Sequence, residues 1–220
     1  MDESLRNNYV LLRGTPGGEA VWSHAARSQD FYTLPLEVRR LSGAADTLNV
    51  TLRAAALAGL DTTRRIEVEG ELRSFNSRRG EWPRLIITVF ARDLRSAEEE
   101  EEDENLVELR GTLCKAPKLR RTPMGRDICD LLLAVNRSYA RSDYLPCICW
   151  GLTARACAAW EVGTRLALSG RIQSRRYLKL TETGTEKRRS KSSLPEEGLR
   201  AFPSPRPRPQ RRCAPPSPSR

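Results

Sequence analysis

The sequence predicts a mainly β protein built as two tandem small barrels, and three observations carry that prediction. The chain resembles itself with a period of about 97 residues, too long for a solenoid and suited to a duplicated small domain. Within each copy the apolar residues alternate over short segments that end in turn residues. One alanine-rich helical stretch, GLTARACAAW at 151–160, interrupts the second copy.

The elements follow in order. NNYVLLRGT (7–15) opens the first copy and ENLVELRGT (104–112) opens the second. LPLEVRRLSGAADTLNV (34–50) aligns with LLLAVNRSYARSDYLPC (131–147), with Val, Arg and Asp at shared places. RRIEVEGELRSFN (64–76) aligns with TRLALSGRIQSRR (164–176) through a glycine and a serine four residues on. TPMG (122–125) reads as a hairpin turn. In the fourth segment of the second copy, Leu166, Leu168, Gly170 and Ile172 point one way. Arg165, Arg171, Gln173, Arg175, Tyr177 and Lys179 point the other. Strand, strand, strand, short helix, strand is the order of the OB-fold, a five-stranded Greek-key barrel whose open face takes oligonucleotides.

The first copy has its fifth strand in WPRLIITVFARDL (82–94). The second has no recognisable final strand: after GTEKRR it runs RSKSSLPEEGLRAFPSPRPRPQRR, almost without β-branched residues. That abrupt change reads as a frameshifted C-terminus, with a lineage-specific basic tail as the alternative. The expected division is a degenerate OB unit over 1–97, an acidic linker over 98–104, a second OB unit over 105–188 and a disordered basic Pro/Arg/Ser tail over 189–220.

Charge narrows the function. The net charge is +10, distributed as +2 over 1–97, seven consecutive acids over 98–104, +9 over 105–180 and +6 beyond. Such a balance favours a polyanionic partner, nucleic acid before membrane. The acidic run repels itself and reads as a linker. No apolar run approaches the roughly 18 residues of a membrane span, and MDESLRNN is no signal peptide, so an intracellular protein is expected. Six cysteines without a C-x-x-C pair read as small buried hydrophobes. His24 is the only histidine and lies in polar surroundings, which leaves no His-rich metal site and no nucleophile motif. Phosphate-loop and dinucleotide signatures are missing as well. No catalytic residue, metal or cofactor is expected.

VNRSYARSDYLPCICWG (135–151) carries the binding signal. Alternation puts Leu145, Cys147 and Cys149 inside, and Tyr144, Pro146, Ile148 and Trp150 outside. Rings among cations on a sheet face are what a single strand needs, because bases stack on rings and cations track phosphates. The competing reading packs these rings against another domain or subunit.

NLVELRG…TPMGRDICDLLLAVNRSYARSDYLPCICWG…RLALSGRIQSRRYLKL resembles the bacterial single-stranded-DNA-binding protein family over about residues 104–188, and most of all its divergent members with two OB units. The resemblance implies stacking by Tyr139, Tyr144, Trp150 and Tyr177, with backbone contacts from Arg120, Arg121 and Arg126. Arg137 and Arg141 are interleaved with the rings, and Arg171, Arg175 and Lys179 share the face of Tyr177. It further implies a non-enzymatic role in replication, recombination and repair, a bacterial cytoplasmic, nucleoid-associated location, and self-association as a dimer or higher. The family's usual acidic tip, which recruits replication and repair proteins, has no counterpart in PPSPSR.

The first copy holds Ser42, Thr47, Arg53 and Ser77 where the second has its four rings. Phe75, Arg39, Arg40 and Arg73 leave it a weak surface at best, and support of assembly is its expected task. Two other classes stay open from the residues: a primosome-type structural protein, and an RNA-binding OB protein, since stacking accepts any base.

Overall fold

The computed structural model describes residues 7–77, 84–180 and 186–200, with side chains over 7–76 and 85–174. Among the described residues thirteen strands join into one continuous sheet system, with two short helices in the connections.

The first unit begins with β1 (Asn8–Pro16), whose Val10 and Leu12 point into the core. The hairpin of β2 (Val21–Ala26) and β3 (Gln29–Arg39) follows, then β4 (Ala45–Arg53), the one-turn helix α1 (Ala54–Leu57), β5 (Ile66–Ser77) and β6 (Arg84–Ser96). β1 pairs with β3 and β5, β3 with β4, β5 with β6, and β4 with β6 in parallel, so five strands close into a barrel. Closure removes the exposed edges that an open sheet would leave.

The second unit repeats the plan with β7 (Glu104–Leu113), β8 (Lys118–Arg121), β9 (Asp127–Arg137), β10 (Arg141–Trp150), α2 (Gly151–Cys157), β11 (Arg165–Gly170), β12 (Gln173–Leu180) and β13 (Glu186–Arg200). Its pairings match those of the first, down to the parallel contact of β10 with β13.

The repeated LRGT motif now has a physical reason. A Cβ on Gly14 would collide with the Glu37 carbonyl, and one on Gly111 with the Ala134 carbonyl. Each glycine lets the first strand of its barrel cross the second at close range.

Three expectations need correction. The second unit does have a closing strand: β13 pairs with β10, β11 and β12. Ladder hydrogen bonds come from the backbone, so a segment poor in β-branched residues still serves, and its Leu194 and Leu199 fall opposite Cys147 and Leu168. β13 runs through residue 188 and on to Arg200, so the strand occupies the start of the segment assigned to the tail. The fourth segment is not one strand either. It breaks between Gly170 and Gln173, where Asn105 exchanges two hydrogen bonds with the Ile172 backbone, both 2.9 Å. Alternation is lost there, and Gln173 is 8% exposed instead of facing out.

The acidic run is pinned, not merely repelled. Arg95 bonds Glu101 and Glu67, Arg13 bonds Glu67 and the Glu102 carbonyl, and Arg65 pairs with Asp103 at 2.7 Å. The Arg39 amide donates to Asp103 at 2.6 Å. First-unit arginines thereby compensate the charges that would otherwise push the segment away. The hydrogen bond from Arg95 holds the Glu101 carboxyl down at about 2.

The barrels join along β1 and β7, antiparallel from Asn8↔Leu109 to Arg13↔Glu104. Two reciprocal clasps reinforce this ladder. Asp46, fully buried, accepts from the Ser174 amide of the other barrel at 2.7 Å, and Asp143, also fully buried, accepts from the Ser74 amide at 2.8 Å. The Thr47 and Tyr144 amides return the contact to the Ser174 and Ser74 hydroxyls. These are the Asp and Ser that the internal repeat shares. A buried carboxylate is tolerated only when fully hydrogen-bonded, and Arg40 completes Asp46 while Arg73 completes Asp143. Arg40 and Arg73 therefore bind the two barrels' buried acids, which corrects their assignment to a weak first-unit surface.

Candidate nucleic-acid interface

β9 and β10 set the geometry of the second unit's outer face. Leu145, Cys147 and Cys149 are buried to within 1%. The opposite side of β10 carries Tyr144, 51% exposed, then half-buried Pro146, nearly buried Ile148 and half-buried Trp150. A row across three strands brings Arg120, Ile128 and Trp150 side by side, through the pairs Arg120↔Ile128 and Trp150↔Ile128. One ring and one cation thus flank an apolar floor.

The β9–β10 turn carries the most exposed ring, Tyr139, 84% exposed. At the base of that turn Arg137 and Arg141 lie directly opposite one another. Like charges at opposed positions destabilise a hairpin unless an anion or carboxylate relieves them. Asp143 relieves Arg137 in part, at 3.6 Å, while Arg141 stays exposed. Both arginines share the parity of Leu145 and Cys147, not that of Tyr144, and form the last rung of the ladder before the turn.

The other cations divide. Arg120 pairs with Asp130 at 2.6 Å, and Arg121 with Asp127 at 3.3 Å. Asp127 is also bonded by Arg155, the largest cause of its lowered pKa, with Arg121 adding to it. Such exposed pairs are screened by solvent and weak, so a phosphate competes with them. Arg126 is exposed on the β8–β9 turn and has no carboxylate partner among the described residues. Arg171 is half-buried at the break before β12. Arg175, Tyr177 and Lys179 fall on the β12 backbone, and their side chains lie outside the described residues.

The first unit's equivalent face holds rings that a strand-by-strand alignment misses. Arg53 stands where the second unit has Trp150, and the residue paired with it is Phe31. Phe31 contacts Phe90 at 6.0 Å and stacks on His24 at 4.9 Å, while Arg53 lies 5.3 Å over the Phe90 ring. Trp22 on β2 is 56% exposed, and Phe75 on β5 is similarly open. The signal was there in the cross-strand partner, not at the aligned position itself.

Among the described residues no group of three His, Cys, Asp or Glu side chains is placed to hold a metal, and no helix is long and apolar enough to cross a membrane. Cys129, Cys147, Cys149 and Cys157 are buried, and burial pushes the Cys129 thiol up to about 11.

The single-strand binding protein family model matches residues 104–194. Single-stranded DNA-binding protein B of Bacillus subtilis is 40% identical over 80 residues, covering 33% of this chain and 71% of that protein. Single-stranded DNA-binding protein 2 of Listeria innocua is 36% identical over 80 residues, the same 33% of this chain but only 50% of the relative. Wild-type single-stranded DNA binding protein from Thermus aquaticus superposes with a TM-score of 0.72 at 23% identity, over 91% of this chain and 95% of that one, a likeness of fold that takes in both barrels. With more than two thirds of the Bacillus subtilis relative spanned at 40% identity, the chain belongs to the single-strand binding protein family.

Proposed function

We propose that this chain binds single-stranded DNA on the outer face of its second barrel, without a catalytic step, in the service of replication, recombination and repair. Tyr139, Tyr144, Trp150 and Tyr177 stack bases. Arg120, Arg121, Arg126, Arg137, Arg141, Arg171, Arg175 and Lys179 meet the phosphates. The observation that carries this reading is the β9–β10 hairpin, where an exposed Tyr139 and Tyr144 accompany two directly opposed arginines. The names of the relatives, each a single-stranded-DNA-binding protein, support the same reading.

The first barrel serves mainly to dock the second, through the β1–β7 ladder and the two buried aspartates. It stands as a partner within the chain, and further self-association proceeds through the same kind of unit. The division proposed is a first unit over 1–97, a pinned acidic connector over 98–104 and a binding unit from 105 onward.

Titration with an oligo-dT strand across a salt series tests the function. Affinity should fall steeply as salt rises, with a log–log slope of about −0.7 per phosphate neutralised. A matching RNA strand and a duplex serve as the comparison arms. Tighter binding to duplex, or affinity indifferent to salt, contradicts the proposal.

A further inference from the structure

Four non-glycine residues among those described have positive φ: Arg27 (50°), Ser28 (59°), Tyr139 (64°) and Ala140 (51°). They form two pairs at two hairpin tips. Arg27 and Ser28 make the two-residue turn between paired Ala26 and Gln29. Tyr139 and Ala140 sit in the turn between paired Arg137 and Arg141. Turns of this hand ordinarily use Gly, Asn or Asp, because a side chain in the left-handed region is strained. Strain kept at two tips invites the question of what the tips present.

They present themselves to each other. The Arg27 guanidinium carbon lies 6.0 Å from the centre of the Tyr139 ring, although the two residues belong to different barrels. This is within reach of a cation–π contact. Arg27 is exposed and has no carboxylate partner among the described residues. Tyr139 remains 84% exposed beneath it, so one face of the ring is open. The internal repeat puts Ser42 and Met124 at the corresponding places, both exposed and neither a ring nor a cation. The bridge is therefore made on one side of the molecule only.

We infer that Arg27 of the first barrel and Tyr139 of the second form a joint contact for one nucleotide of a single strand, with the base on the open face of Tyr139 and its phosphate against Arg27. The strand then leaves the second barrel along the β2–β3 hairpin, where Trp22 is also exposed. This rests on the single-strand reading above and deepens it: the first barrel contributes a residue to the site as well as docking the second.

The test is binding of an oligo-dT strand to the intact chain by fluorescence anisotropy, for Arg27→Ala, Tyr139→Ala, the double variant and Arg27→Lys, each over a salt series. Tyr139→Ala should weaken binding about 5- to 150-fold, the range of one stacked base. Arg27→Ala should weaken it and make the salt slope shallower by about 0.7, the loss of one phosphate contact. The double variant should lose less than the product of the two, and Arg27→Lys should restore the slope. Ser28→Gly relaxes the turn while keeping the guanidinium, and should leave affinity unchanged. If Arg27→Ala lowers only the melting temperature and leaves affinity and slope alone, while Tyr144→Ala and Trp150→Ala weaken binding, the joint contact is wrong and the single-strand reading survives. Independent, multiplicative losses also overturn it. A chain that binds no single strand at all overturns both.

Discussion

At the end of the third barrel strand, the first unit pairs Phe31 with Arg53, and the second pairs Ile128 with Trp150. The backbone is the same and the ring has moved across the ladder. In the first unit that ring stacks on His24 and packs against Phe90, over which Arg53 lies, whereas Tyr144 and Tyr139 of the second unit stand open. The inner faces tell the opposite story, because Gly14 and Gly111, Asn8 and Asn105, and Asp46 and Asp143 perform matching tasks in both halves. Duplication preserved the frame, where each substitution costs packing or leaves a buried polar group unpaired. It released the outer face, where ring and charge are free to change.

Removing the buried carboxylates should break this symmetry most severely. Asp46→Ala and Asp143→Ala each strip a charge that the opposite barrel's amide and an arginine require, and should cost about 3–5 kcal/mol in urea unfolding. The two losses should be similar. A large loss from one and none from the other would show that only one clasp holds the barrels.

A smaller effect is expected where strands cross. Gly14→Ala and Gly111→Ala each force a methyl group toward a carbonyl, and should cost about 1–3 kcal/mol by the same measurement. If Gly111→Ala is silent while Gly14→Ala is not, the second barrel has slack at its crossing.

The smallest effect belongs to the acidic connector, which has no counterpart elsewhere in the repeat. The hydrogen bond from Arg95, above all, holds the Glu101 carboxyl at about 2, well below the ordinary 4.5 of a glutamate. Its contribution is present above about pH 4.5 and is lost as pH falls toward 2. Proteolysis within 98–104 by an acid-active protease should therefore accelerate over that window. Glu101→Gln should be cleaved readily on both sides of the window and show no such acceleration.

Much of the frame was legible because inward residues obey period two and because the motif LRGT occurs twice. Alternation alone identified Leu145, Cys147 and Cys149 as inward. The closing strand was not legible, since β13 is held by ladder bonds that any non-proline backbone supplies, and its composition says little about pairing. The break at Arg171–Ile172 was hidden for a related reason: a side chain, Asn105, satisfies the backbone there in place of a neighbouring strand. Net charge likewise concealed the acidic connector's partners, because Arg13, Arg65 and Arg95 are distant in sequence. Phe31 of the first unit escaped because the aligned position, Arg53, was compared without its cross-strand partner.

Equivalent faces of two like barrels are expected to differ in function. Oligo-dT affinity of the intact chain at one ionic strength, measured for Tyr144→Ala and for its counterpart Thr47→Ala, tests it directly. Tyr144→Ala should lose about 1–3 kcal/mol, or about 5- to 150-fold. Thr47→Ala should change affinity by no more than about 0.5 kcal/mol, roughly twofold. Equal losses from the two, or a loss confined to Thr47→Ala, would contradict it.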